Sequence, residues 1–125
     1  MTGGRIILAL DALMFGLFGA LYWVIPEQMA AKVDVAMSTR GGIIDVQGIY
    51  GGLELGIAAF FAWCALKPER VKMGLVAGSF VLGSIALSRV VAMAHFGSPG
   101  AAVAGLVALD ALGAVLNIAF WRRAT

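Results

Sequence analysis

The sequence predicts an all-α integral membrane protein, a four-helix bundle with both termini cytoplasmic. Composition is the first reason. Of the 125 residues, 62% are hydrophobic and 13% charged, against about 45–50% and about 25% in soluble domains. Mean hydropathy is +0.97. A chain this short cannot bury so much apolar surface within itself, so the surplus faces lipid. Distribution is the second reason. The apolar residues gather in four runs, each near the roughly 20 residues that a bilayer requires. Backbone chemistry is the third. Within lipid every N–H and C=O must be bonded inside its own segment, so the runs are helices. The length suits a single transmembrane domain over 1–125.

The first helix is expected over about 6–25, stopping at Pro26. Arg5 in front of an apolar run also fits a cleaved leader. Asp11 interrupts that run, the run is too long, and no clear small-residue cleavage site follows. The second helix is expected over about 43–66, stopping at Lys67-Pro68-Glu69-Arg70. The third covers about 71–95 and ends at Phe96-Gly97-Ser98-Pro99-Gly100. The fourth covers about 101–121 and meets Arg122-Arg123. Between the first two, about 27–40, Met29, Val33, Ala36 and Met37 recur at helical spacing among Glu27, Lys32, Asp34 and Arg40. That pattern predicts an amphipathic helix on the membrane surface or capping the bundle; a solvated loop is the plainer alternative.

Basic residues set the orientation. Arg5, Lys67, Arg70, Lys72, Arg122 and Arg123 fall on one side, and Lys32 and Arg40 on the other. The excess belongs in the cytoplasm. The chain is then multi-pass in the cell inner membrane, with membrane lipid as its surroundings. A net charge of +2 is too small to suggest nucleic acid as a partner.

Four ionisable residues lie inside the apolar runs: Asp11, Glu54, Arg89 and Asp110. Each costs about 2.5–3.5 kcal/mol at mid-membrane on insertion scales, so each must be paired, neutralised or used. At about 1.5 Å of rise per residue, Glu54, Arg89 and Asp110 reach one level in the outer half of the bilayer. Asp11 and Asn117 fall deeper, at a second level. Gln47, Tyr50 and Glu54 share a helical face, as do Asp110, Gly113, Ala114 and Asn117. Asp11 shares one with Phe15, Phe18 and Tyr22. Such stripes point into a bundle.

Two readings of the first level stand. In the structural one, Arg89 bridges both carboxylates and holds three helices in register. In the functional one, Glu54, Arg89 and Asp110 are catalytic or binding groups: a proton donor, an orienting cation and a base. Gln47, Tyr50, Asp11 and Asn117 are then ligand-binding. The functions that follow are binding of a lipophilic small molecule or a partner subunit, intramembrane isomerase or epoxide-opening chemistry, and proton-coupled transport.

Gly48, Gly52 and Gly56 form a ladder on the side of the second helix away from Glu54, and Gly74 and Gly78 open the third helix. Small residues at this spacing let helices approach closely. The first ladder suits either the bundle or a homo-oligomer. The remaining chemistry is sparse. Cys64 is alone, so no internal disulfide forms, and it fits a small buried hydrophobe. His95, the single histidine, sits at a helix end. Haem would need a further ligand, and no cluster suggests zinc. Ser79, Ser84 and Ser88 have no base nearby. No cofactor and no metal is called for.

The motif order Ile25-Pro26-Glu27, Gly51-Gly52-Leu53-Glu54, Ser88-Arg89, Gly97-Ser98-Pro99 and Asp110 resembles a family of small bacterial four-helix membrane proteins. That family is known as domain of unknown function 4345. The likeness runs over nearly the whole chain. The third and fourth helices are also similar in style to DoxX-like proteins, some of which associate with quinone-linked oxidoreductases. The resemblance implies a pairing of Glu54, Arg89 and Asp110 and carries no activity with it.

Overall fold

A computed structural model describes residues 2–124. The described chain is helical and contains no strand. We number five helices: α1 Thr2–Val24, α2 Pro26–Ala31, α3 Arg40–Leu66, α4 Pro68–Phe96 and α5 Gly100–Arg123. All but α2 are long and apolar enough to cross a membrane, and the protein is a multi-pass membrane protein. Proline and glycine cut the chain. Ile25 leaves helical geometry (φ −131°, ψ 58°) ahead of Pro26, which opens α2. Lys67 is extended (φ −127°, ψ 130°) ahead of Pro68, which opens α4. A residue before proline is driven from the helical region, and proline is favoured in a first helical turn. Gly97 ends α4 at φ 95°, its N–H bonding the Met93 carbonyl at 2.9 Å. A side chain there would be strained.

The link between α1 and α3 differs from the amphipathic helix expected over 27–40. Only Pro26–Ala31 is helical. The chain then turns through Asp34 at φ 59°, and the Val35 N–H bonds back to the Ala30 carbonyl at 3.0 Å. Aspartate tolerates this left-handed geometry, which ends a helix. Met29 and Ala30 are buried, while Val35 and Ala36 are exposed. Thr39 caps α3, its Oγ1 accepting from the Gly42 N–H at 3.1 Å.

The two ends of the bundle are built differently. At the terminal end, where α1 begins and α5 ends, the four long helices close tightly. The core there is Leu8, Phe61, Cys64, Val71, Leu75 and Leu82, all without exposed surface. Glycine permits the approach. A Cβ on Gly74 would lie 2.7 Å from both the Cys64 Cβ and Leu8 Cδ1, and one on Gly4 would lie 2.8 Å from Val71 Cγ1. Arg5 Nε donates to the Ala65 carbonyl at 2.8 Å, covering an orphan group at the end of α3. Arg70 lies 3.9 Å over the Trp63 ring.

Toward the connection end, α3 stays packed on α1 but leaves α4, and α5 packs on α4. Gly19 and Gly51 make the α1–α3 crossing: a Cβ on Gly19 would lie 3.0 Å from the Gly51 carbonyl oxygen. Gly48 and Gly56 have nothing near them, and Gly52 faces only its own helix. That ladder therefore takes no part in packing one chain, whereas Gly74 and Gly78 do. Large apolar residues such as Leu13, Phe80 and Leu87 point outward, as a lipid-facing surface requires.

Candidate functional site

The splayed connection end holds a cavity of about 430 Å³. Pockets of about 300–1,000 Å³ suit small organic ligands. Its floor carries Glu54 from α3, Arg89 from α4 and Asp110 from α5. The structure thus brings together three residues that are 35 and 21 positions apart in sequence. Its walls are mostly apolar. α1 contributes Met14, Phe15, Phe18 and Tyr22. α5 contributes Ala102, Val103, Leu106 and Leu109, and α4 contributes Ile85. Met29, Ala30, Lys32, Val33 and Val35 cover the mouth, and Val46 and Tyr50 complete the α3 side. The Tyr22 and Tyr50 rings pair with centroids 5.2 Å apart and planes tilted by 30°.

A local irregularity in α3 shapes this wall. Gln47–Leu53 forms π-helical turns, wider than α-helical ones and frequent at functional sites. Gly51 is buried in this stretch, and a Cβ there would lie 2.8 Å from Trp23 Cδ1. Gln47 Nε2 donates to the Trp23 carbonyl at 2.8 Å. Gln47 therefore ties α3 to the end of α1 and does not line the cavity, although it shares a face with Glu54 in a regular helix. Tyr50 and Glu54 do line it.

On the floor, Arg89 Nη1 donates to Asp110 Oδ2 and forms an ion pair with it. Asp110 is buried, while the Arg89 side chain is one-third exposed. The bridge to both carboxylates that the sequence suggests does not form: among the described residues, Arg89 hydrogen-bonds Asp110 and not Glu54. Glu54 Oε2 is buried and, among the described residues, has no hydrogen-bond partner. The charges acting on Glu54 are Arg89 and Asp110, one of each sign. A guanidinium has five N–H donors, and the geometry commits Arg89 to one carboxylate.

Asp11 and Asn117 lie outside the cavity lining, nearer the terminal end. Asn117 Nδ2 donates to Asp11 Oδ2 at 2.8 Å and to the Gly113 carbonyl at 2.9 Å. Both residues are buried, and Asn117 Oδ1 has no hydrogen-bond partner among the described residues. Gly78 makes room, since a Cβ there would collide with the Asn117 amide. The pair links α1 to α5 where the bundle closes. Among the described residues, no group of three His, Cys, Asp or Glu side chains could hold a metal ion.

The sequence marks the ionisable residues but misses most of the wall. Tyr50 is expected beside Glu54 from the sequence, and Ile85 and Leu106 stand in the same relation to Arg89 and Asp110, four residues before each on its own helical face. Stepping one turn from Glu54, Arg89 and Asp110 finds them. The residues over the mouth carry no such signal, because their placement depends on the turn at Asp34.

A family model described as a domain of unknown function (DUF4345) matches residues 4–121. The chain belongs to this family. The matched stretch contains every residue of the cavity floor and walls as well as the Asp11–Asn117 pair, so the site lies within the family domain. No curated protein and no solved structure matches the chain.

Proposed function

We propose that the protein binds a lipophilic small molecule in the cavity between its splayed helices. One observation carries this reading: an apolar, aromatic-walled cavity is lined by Glu54, whose buried Oε2 has no donor among the described residues. Buried polar groups are normally satisfied, and a ligand hydrogen bond satisfies this one. Glu54 is the ligand-facing group. The Arg89–Asp110 pair forms the adjoining charged floor, and Tyr22 and Tyr50 form its aromatic side. The distribution of lysine and arginine supports both termini in the cytoplasm and the cavity in the outer half of the inner membrane. The chain acts as one transmembrane domain. An acid beside an ion pair also suits acid–base catalysis or proton-coupled transport. No second feature favours either over binding.

Native mass spectrometry of gently solubilised protein tests the reading. Wild type should carry a discrete bound molecule that Glu54→Gln and Leu106→Trp both lose. A clean apo mass for wild type in one defined oligomer would overturn it and leave the charged floor a structural device.

A further inference from the structure

We propose that the ligand is a lipophilic amine whose ammonium group sits at Glu54 beside the Tyr22–Tyr50 pair. This rests on the binding reading above and names its ligand class. Charge is the first argument. The floor holds two carboxylates and one guanidinium, and the guanidinium is paired with Asp110. Arg89 and Asp110 act on Glu54 in opposite senses, Arg89 the more strongly. Lys32 also lines the cavity but is exposed, where water and salt screen its charge. A carboxyl out of water either keeps its proton or pairs with a cation, and a ligand ammonium is the cation that would hold Glu54 ionised.

Hydrogen bonding is the second argument. Glu54 Oε2 is buried without a donor. An ammonium brings N–H donors whose bonds to a carboxylate are charge-assisted. Aromatic surface is the third. Tyr22 and Tyr50 line the same cavity with paired rings, Tyr50 sits one turn from Glu54, and Tyr22 lies within electrostatic reach of Glu54. Ring faces attract cations, more so away from water. The remaining wall, including Phe18, Ile85 and Leu106, suits a hydrocarbon body. A fatty acid would place a third carboxylate on the floor. A fatty alcohol would satisfy Oε2 and leave the charge unanswered.

Ligands that share a dodecyl chain and differ in head group test this. Dodecylamine, dodecanol, dodecanoate and dodecyltrimethylammonium are titrated into the full chain in uncharged micelles at pH 7. Occupancy is read by native mass spectrometry, with Leu106→Trp correcting for partition into the micelle. Dodecylamine should bind wild type at least tenfold more tightly than dodecanol or dodecanoate. Dodecyltrimethylammonium, which keeps the charge and lacks N–H groups, should fall between amine and alcohol. Glu54→Gln, with its helix content checked by circular dichroism, should lose the amine's tenfold advantage and keep dodecanol binding. Equal binding of amine and alcohol, or tighter binding of dodecanoate, would overturn the amine assignment and leave a lipophilic site standing. Should Glu54→Gln fail to fold, the wild-type head-group series decides alone. Binding of no dodecyl ligand, or equal binding by Leu106→Trp, would remove the lipophilic site as well.

Discussion

Replacing Asn117 with alanine tests whether a buried hydrogen bond clamps the terminal end of the bundle. Asn117 has no exposed surface, and its amide donates to Asp11 Oδ2 at 2.8 Å and to the Gly113 carbonyl at 2.9 Å. The bond to Gly113 matters less, because that carbonyl keeps its helical donor four residues on. The bond to Asp11 has no replacement in this packing. Side-chain hydrogen bonds between membrane helices average about 0.6 kcal/mol and reach about 1.7 kcal/mol. Short length and burial at both ends place this one near the top, at about 1.5 kcal/mol. Truncation also opens a void beside Gly78, a further cost. Removing the unpartnered Oδ1 offsets part of it. Asn117→Ala should therefore cost about 2 kcal/mol in all. The assay is a double-mutant cycle of Asp11→Ala and Asn117→Ala, with unfolding by dodecyl sulfate followed by circular dichroism. The pair should couple by about 1.5 kcal/mol, roughly tenfold in the unfolding constant. A coupling below about 0.3 kcal/mol, within the additivity expected of independent sites, would refute the clamp.

Three further outcomes follow from the packing. Gly74→Ala drives a Cβ against Cys64 and Leu8 and should cost about 1–3 kcal/mol, whereas Gly56→Ala, with nothing nearby, should leave the melting temperature unchanged. Arg89→Leu strands the buried Asp110 and should destabilise by about 3 kcal/mol, with Arg89→Leu/Asp110→Leu recovering most of the loss; monodispersity after solubilisation reports both. Gln47→Ala frees the Trp23 carbonyl at about 1 kcal/mol and should loosen the α1–α3 crossing, read as faster hydrogen exchange over residues 20–24.

The helices were legible because their boundaries are chemical. Pro26, Pro68 and Gly97 stop or start helices by backbone geometry that no neighbour overrides. The levels of the ionisable residues were legible too, since helical rise is constant: Asp11 meets Asn117, and Glu54, Arg89 and Asp110 share one cavity. Azimuth was not legible. The choice of Asp110 over Glu54 by Arg89 depends on how far α3 swings from α4, which follows from tertiary packing of Gly19 on Gly51. The π-helical turns at Gln47–Leu53 rotate Gln47 off the face it shares with Glu54 in a regular helix. Gly48, Gly51 and Gly52 weaken that stretch as ordinary helix, but they do not say which way the irregularity turns a side chain. The broken link after Ala31 was hidden for a similar reason, because Met29, Val33 and Met37 keep an amphipathic spacing through a turn that Asp34 reverses.

The contrast between a closed terminal end and an open connection end makes the molecule a wedge. Glycine contacts and the Asp11–Asn117 bond hold one end at a fixed width, while α3 and α4 stand apart at the other. Its two ends therefore differ in how tightly the helices pack. Lateral pressure in the leaflet around the open end then acts directly on the volume of the cavity. Cone-shaped lipids packed there would squeeze it, and short-chain or lyso-lipids would let it widen.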